Sequence, residues 1–248
     1  MGKARTWDDE CRRAVVNGDA AAMKRALERG LPIDKPIRGF GNQTALHYAC
    51  NRRAKPSVVA VLLEAGASVN DPADALDTPL MAAAFHGRLG LVKLLLAAGA
   101  NVHAKDGEEE TALSKACLSK TKAHEDIVNE LLAAGAQPGV DDLTMACEQG
   151  SPAMVRALIA AGAEVGGINR WGDTALHKAV DYGSLAVVEA LLAAGADPTF
   201  RLSEMSRNYP GQTALDLARQ NKAKKLIPLL ESNRRRRNEP PGQSRGCT

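Results

Sequence analysis

Cysteine and histidine are the residues of this chain that could bind a metal or act as a nucleophile and its base. Cys50, Cys117 and Cys147 each lie four residues after a leucine. Thiolates are good zinc ligands, but a zinc site needs its sulfurs within about 2.3 Å of one ion. The three cysteines instead share one register, in which related segments have Ala84 or Val180. We therefore predict that they are buried packing residues and that the chain holds no metal.

The histidines give no catalytic pattern either. His47 and His177 share a register, whereas His86, His103 and His124 fall at unrelated positions and form no H-x-x-H or H-E-x-x-H spacing. The sequence also contains no nucleophile elbow, phosphate-binding loop or dinucleotide fingerprint. We predict that the protein is not an enzyme and that it has no catalytic residue and no cofactor.

Two short motifs recur along the chain and set its architecture. The first begins with Thr-Pro-Leu or Thr-Ala-Leu, and its leucines are 34, 33, 30, 33 and 39 residues apart. The second, Leu-Leu-x-x-Gly-Ala or a close variant, follows in phase with the first. The first motif occurs at residues 44–47, 78–81, 111–114, 174–177 and 213–216, with a degenerate copy at 143–146, and the second at 62–67, 95–100, 131–136, 158–163 and 191–196.

A period near 33 with these two motifs resembles the ankyrin repeat. The resemblance implies a mainly α repeat solenoid, an ankyrin-type stack of β-hairpin–helix–turn–helix units. The motif threonine should cap the inner helix, and Gly87, Gly150 and Gly183 should end it with positive φ. In such repeats the motif histidine, here His47 or His177, hydrogen-bonds the adjacent finger. We count seven units, including a polar cap at each end.

Composition supports one repeat domain with two flanking segments. Hydrophobic residues are 45% of the chain and aromatic residues only 3%, which suits thin helical layers rich in Ala and Leu. We predict a disordered N-terminus over 1–6, the ankyrin repeat domain over 7–231 and a disordered basic tail over 232–248. The tail holds five arginines and one glutamate, so the net charge of +3 comes from the tail. The repeats are thus not expected to bind nucleic acid.

The cellular compartment of the protein is predicted from the lack of a membrane-spanning segment and from its cysteine usage. No stretch approaches the ~20 apolar residues of a membrane span, and five widely spaced cysteines are typical of a reducing compartment. We expect a cytoplasmic monomer, with nuclear entry through Arg234–Arg237 as an alternative; acylation of Gly2 stays open.

Ankyrin repeat proteins bind through fingertips and inner helices, so the resemblance implies another protein as the partner. Acidic central fingers predict a basic segment in that partner, rather than nucleic acid or a membrane. The alternative function is a nucleic-acid- or membrane-associated protein tethered by its basic tail. The residues that we expect to contact the partner are Phe40, Tyr48, Asp74, Asp77, Phe85, Glu108, Glu109, Glu110, Asp141, Asp142, Trp171, Tyr182, Phe200, Met205 and Tyr209.

Overall fold

The computed structural model describes residues 7–37, 43–52, 54–73 and 77–238, with side chains as far as residue 235. These residues form fourteen helices, which follow one another as seven helix–turn–helix pairs, as the repeat count predicted. The chain divides into two compact units, Met1–Gln137 and Pro138–Thr248, which are described separately. No helix in the described part of the chain is long and apolar enough to cross a membrane.

The first unit contains four helix pairs in two layers. Odd-numbered inner helices pack on one another, and even-numbered outer helices do the same. The helices are α1 (Trp7–Asn17), α2 (Ala20–Glu28), α3 (Ala45–Asn51), α4 (Pro56–Glu64), α5 (Pro79–Phe85), α6 (Leu89–Ala97), α7 (Ala112–Cys117) and α8 (Lys122–Ala133).

The second unit contains three helix pairs arranged in the same way, with α9, α11 and α13 in one layer and α10, α12 and α14 in the other. These helices are α9 (Val140–Gln149), α10 (Pro152–Ala160), α11 (Ala175–Asp181), α12 (Leu185–Ala193), α13 (Ala214–Gln220) and α14 (Leu226–Asn238).

The last helix departs from the predicted domain boundary. We expected a disordered tail from residue 232, but α14 continues to Asn238. Ser232 and Asn233 donate side-chain hydrogen bonds to the Leu229 carbonyl, both at 2.9 Å, and arginine is a good helix former. The predicted segments 1–6 and 239–248 lie outside the described residues.

The helix ends confirm the predicted capping residues. The hydroxyl of each motif threonine accepts a hydrogen bond from the backbone N–H three residues later, as in Thr78 and Met81 at 3.3 Å. Gly87, Gly150 and Gly183 have φ values of 66°, 68° and 72°, a conformation that costs a residue with a Cβ about 1–2 kcal/mol. Equivalent threonine bonds occur at Thr44, Thr111, Thr174 and Thr213.

The fingers are smaller than the predicted β-hairpins. The described fingers are closed by a few backbone hydrogen bonds, such as Asp106 N–H to the Glu110 carbonyl at 2.9 Å, and two of them contain an isolated β-bridge, Ile168 with Thr174 and Arg201 with Thr213. The Asp106 carboxylate also accepts the backbone N–H groups of Glu108 and Glu110, both at 2.9 Å. The side-chain carbonyl of Asn169 does the same for Trp171 and Asp173. A polar side chain thus shapes each of these two fingertips.

The core lies between the helix layers and is built from the motif leucines and small residues. Leu80 and Leu113 of the inner helices and Leu95 of α6 are buried. Cys50, Cys117 and Cys147 are also fully buried, which confirms the predicted packing role. Burial raises the pKa of Cys50 to about 12 and also raises the pKa of Cys147, so both remain thiols at neutral pH.

Candidate functional site

A groove of about 590 Å³ opens in the first unit, at the place where two fingers meet three inner helices. Its volume falls within the range of ligand-sized pockets. The helices α3, α5 and α7 form its floor, and the fingers form its rim. The residues that line it are Asn51, Asp77, Ala82, Phe85, His86, Asp106, Gly107, Glu108 and Lys115.

Phe85 gives the groove an apolar contact point. It is the last residue of α5, beyond the positions that α5 buries, and it is 50% exposed. The Phe85 carbonyl accepts a hydrogen bond from His124 Nε2 at 3.1 Å, while His124 Nδ1 lies 2.6 Å from the Thr121 hydroxyl. His124, in the first turn of α8, therefore fixes the end of α5, and with it the backbone of Phe85.

The rim of the groove is acidic. The carboxylates of Asp77, Asp106 and Glu108 face a single ammonium group, that of Lys115. Burial, followed by the nearby guanidinium of Arg88, lowers the pKa of His86. His86 is therefore neutral at pH 7, and the groove carries a net negative charge.

Lys115 and the finger acids form a compact ion-pair network. Lys115 Nζ lies 2.6 Å from Asp106 Oδ2 and 2.8 Å from Glu110 Oε2. Although burial disfavours the ammonium, these hydrogen bonds outweigh it and raise the pKa of Lys115. Burial likewise opposes ionisation of Asp106, but the hydrogen bonds from Lys115 and the finger backbone lower its pKa. The network holds the finger against α7.

The predicted acidic run in this finger is divided among three environments. Glu108 is exposed and lines the groove. Glu109 occupies the fingertip at φ 63° and pairs with Lys105 at 2.9 Å. Glu110 is buried against Lys115. Only Glu108 of the three faces the groove, because the turn at Asp106 points successive side chains in different directions.

The remaining residues that we expected to contact the partner from the first unit do not all lie in the groove. Asp77, Phe85 and Glu108 line the same groove. Tyr48 is instead only 4% exposed, with the Arg52 guanidinium 5.4 Å from its ring centroid. Phe40 and Asp74 lie outside the described residues.

The predicted acids of the second unit have structural partners. Asp141 Oδ2 lies 2.6 Å from Arg170 Nε, and the Arg170 guanidinium lies 5.3 Å from the ring centroid of Trp171, which is half-buried. Asp142 is buried, and its Oδ2 accepts the Gly139 N–H at 2.7 Å. Asp142 is the third residue of α9, and this hydrogen bond closes the start of the helix, where the sequence has no motif threonine.

The long finger of the second unit folds partly back on its own repeats. Tyr209 is buried, its hydroxyl donates to Asp181 Oδ2 at 2.9 Å, and its ring stacks on His177 with centroids 6.2 Å apart. By contrast, Met205 is 91% exposed, and Phe200 is also exposed. Tyr182, at the end of α11, is 58% exposed. These three side chains are accessible, whereas Tyr209 is a packing residue.

Both motif histidines approach the adjacent finger, but of the two only His177 forms the hydrogen bond that the resemblance implied. His177 Nε2 donates to the Gln212 carbonyl at 3.2 Å, which leaves Nδ1 to accept the Thr174 hydroxyl at 2.8 Å. Burial lowers the pKa of His177 to about 4. In the first unit, His47 Nε2 lies 3.3 Å from Asp77 Oδ2.

Sequence reasoning missed the inner-helix lysines. Lys115 and Lys178 each lie four residues after a motif threonine, and an acid, Glu110 or Asp173, directly precedes that threonine. Lys178 Nζ lies 3.5 Å from Asp173 Oδ2, and this pair is equivalent to that of Lys115 and Glu110 in the first unit. In both repeats an acid directly precedes the threonine and a lysine follows it by four residues, so the sequence already indicated these pairs. Within the described ranges, no three His, Cys, Asp or Glu side chains gather as a metal site would require.

Comparison with known proteins identifies the repeats. A family model for ankyrin repeats (three copies) matches residues 12–106, 74–142, 121–201 and 143–235. The mouse B-cell lymphoma 3 protein homolog is 33% identical over 128 residues, which cover 50% of this chain and 26% of that protein. The mouse ankyrin repeat and SOCS box protein 16 is 31% identical over 212 residues, which cover 67% of this chain and 46% of that protein. The chain therefore spans less than half of the length of either relative.

A solved structure supports the same match. The crystal structure of the human ASB11 ankyrin repeat domain has a TM-score of 0.73 and 26% sequence identity to this chain. The alignment covers 94% of this chain and 99% of that domain.

Proposed function

Because the chain belongs to the ankyrin repeat family, in which stacked repeats provide extended binding surfaces, we propose that it is a non-catalytic scaffold that binds another protein. The groove of the first unit is the docking site, and its occupant is a segment that combines Lys or Arg with one bulky apolar residue. A half-exposed phenylalanine at the floor of an acidic groove is the observation that carries this proposal.

The apolar contact would provide most of the affinity. Covering the exposed half of a phenylalanine removes roughly 100 Å² from water, which is worth about 2 kcal/mol. Phe85 needs little reorganisation on binding, because His124 already holds the end of α5. A docked residue could therefore use this gain without first ordering the helix end.

The acidic rim would select the partner and speed encounter. Exposed ion pairs contribute only ~0–1 kcal/mol each. A rim whose charges are mostly negative nevertheless attracts a basic segment from a distance. Asp106 is already committed to Lys115 and to the finger backbone. Glu108 is exposed and lines the groove, so its charge is the one that a docked segment would meet most directly.

Selection of random displayed peptides on the immobilised full chain tests this proposal. We expect a class of peptides with basic residues around an aliphatic or aromatic side chain. A synthetic peptide of this class should bind Phe85→Ala about tenfold or more weakly and should associate more slowly with Glu108→Gln. Val16→Ala, at an exposed apolar residue of α1, and Glu64→Gln, at an exposed acid of α4, are matched controls.

Two results would contradict the groove as the docking site. One is that the selection yields no basic class. The other is that basic peptides bind the Phe85→Ala variant as tightly as the unmodified protein.

We also propose that the protein acts as a monomer in the cytoplasm, with nuclear entry through Arg234–Arg237. The four cysteines that the structure describes, Cys11, Cys50, Cys117 and Cys147, are free and buried, in keeping with a reducing compartment. Light scattering at working concentrations tests the monomer, and imaging of a tagged chain with Arg234–Arg237 changed to alanine tests nuclear entry. The repeat domain itself is best assigned to residues 7–238, as far as the end of α14.

A further inference from the structure

A second hollow, of about 360 Å³, lies in the second unit beside the turn between α13 and α14. It also borders the turn between α11 and α12. Its walls are a glycine, an alanine, two leucines and three lysines. The lining residues are Gly183, Leu185, Lys222, Ala223, Lys224, Lys225 and Leu226.

The charge of this hollow is opposite to that of the first-unit groove. Lys222, Lys224 and Lys225 are all exposed, and no carboxylate is among the lining residues. None of the three lysines forms an ion pair with the described acids of the chain. Leu185 and the neighbouring Tyr182 are exposed apolar side chains at the same turn. The surface therefore combines uncompensated positive charge with apolar area.

Lys222 stands where the other repeats of this unit have glycine. It follows the end of its inner helix with φ 54°, and its N–H bonds to the Arg219 carbonyl at 3.1 Å. Gly150 and Gly183 hold the equivalent positions with φ values of 68° and 72°. A lysine in the left-handed conformation is strained, whereas glycine is not. Lys222 therefore adds a positive charge to the hollow at a position where the neighbouring repeats have an uncharged glycine.

We infer that this lysine hollow, formed by Lys222, Lys224, Lys225 and the leucines beside them, binds an acidic peptide segment that carries one bulky apolar side chain. The volume is at the small end of the range for binding pockets, which suits a single side chain packed between Leu185 and Leu226. Carboxylates on either side of that residue would then pair with the three ammonium groups.

The shape and lining favour a peptide over nucleic acid. Proteins that bind single-stranded nucleic acid use a charged groove along the backbone and aromatic platforms for the bases. Here the lysines are confined to one turn, and the apolar lining residues are aliphatic, with a single aromatic side chain, Tyr182, beside them. This inference does not rest on the first-unit groove, since it concerns other residues and a partner of opposite charge.

Fluorescence anisotropy with the full chain tests the inference. The probe is a short fluorescein-labelled peptide of glutamates around one central leucine, at low salt. We expect it to bind, to bind about three- to tenfold more weakly when its leucine is changed to serine, and to bind Lys224→Glu/Lys225→Glu about tenfold or more weakly. Lys24→Glu, at an exposed lysine of α2, is the matched control and should bind the probe unchanged.

Lys222→Gly separates a binding role from a folding role. This change removes one positive charge and restores the glycine found at Gly150 and Gly183. We expect the affinity for the probe to fall about two- to fivefold, while the urea midpoint of unfolding rises. Loss of affinity in a more stable protein cannot be explained by unfolding.

Three outcomes would overturn the inference. The first is that the probe does not bind, and the second is that both lysine variants bind it as well as the unmodified protein. The third is that an oligo(dT) strand, or a phosphatidylserine vesicle, binds more tightly than the peptide and depends on the same lysines. That result would assign the hollow to nucleic acid or to a membrane surface instead.

Discussion

Mild acid should destabilise the protein through His177, a buried histidine that the fold needs in its neutral form. Its Nε2–H donates to Gln212 and its Nδ1 accepts from Thr174, so protonation of Nδ1 would break the second bond. Burial lowers the pKa of His177 to about 4, although Gln212, Asp173 and Asp216 oppose the shift. The unfolded chain has the ordinary value of 6.5.

The two pKa values set the size and direction of the effect. Between pH 6.5 and about 4 the unfolded chain binds one more proton at this site than the folded chain does. The stabilising contribution of neutral His177 is therefore fully present above pH 6.5 and is lost as the pH falls towards 4. Each pKa unit is worth about 1.4 kcal/mol, which gives about 3 kcal/mol in total and about 2 kcal/mol at about pH 5.

Urea unfolding followed by circular dichroism measures this loss. The free energy of unfolding at about pH 7.5 and at about pH 5 is compared for the unmodified protein and for His177→Gln. We expect the unmodified protein to lose about 2 kcal/mol more than the variant, since glutamine can donate to the Gln212 carbonyl but does not titrate. His103→Gln, at an exposed histidine, should lose as much as the unmodified protein. An equal loss in the protein with and without His177 would refute the reasoning.

Four further substitutions test packing, charge and backbone conformation. Leu95→Ala should cost about 2–5 kcal/mol in urea unfolding, because it empties a fully buried position of α6; a cost near zero would contradict the layered core. Lys115→Met should cost about 1–3 kcal/mol by leaving buried Asp106 without its ammonium, and a neutral result would remove the network from the fold. Gly183→Ala should cost about 1 kcal/mol because of its positive φ, whereas Gly90→Ala inside α6 should gain about 0.5–1 kcal/mol. Changes of the same sign in both glycine variants would contradict the assigned conformations.

Local signals made the helices and their ends predictable from the sequence. Threonine, the leucine two residues later and glycine at the helix end act within a few residues of the chain, so their positions fix caps and buried faces directly. The lysine at residue 222 could have been noticed in the same way, since it occupies the glycine position of the helix pair. The short α9 finger was visible as a shortened period, but its Asp142 cap was read only as surface charge.

Exposure of individual side chains could not be predicted in the same way, because it depends on neighbouring repeats. Tyr48 and Tyr209 were expected on the surface and are buried, one under its own helix end and the other against His177. Glu110 follows the exposed Glu109 directly, yet its side chain is buried and pairs with Lys115. The proposed groove depends on such placements, so the sequence predicted three of its lining residues and missed Lys115.

Fingers that contain no more than an isolated β-bridge have a consequence for how the binding specificity of this protein can be changed. The described fingers contain isolated bridges and no extended strand, so we expect a partner to be recognised by side chains rather than by strand addition. Asp106 and Asn169 shape two fingertips that otherwise differ, one acidic and the other carrying Arg170 and Trp171. Exchanging tip residues while keeping the shaping side chain should therefore change specificity without refolding the finger, and it creates no exposed edge at which chains could aggregate.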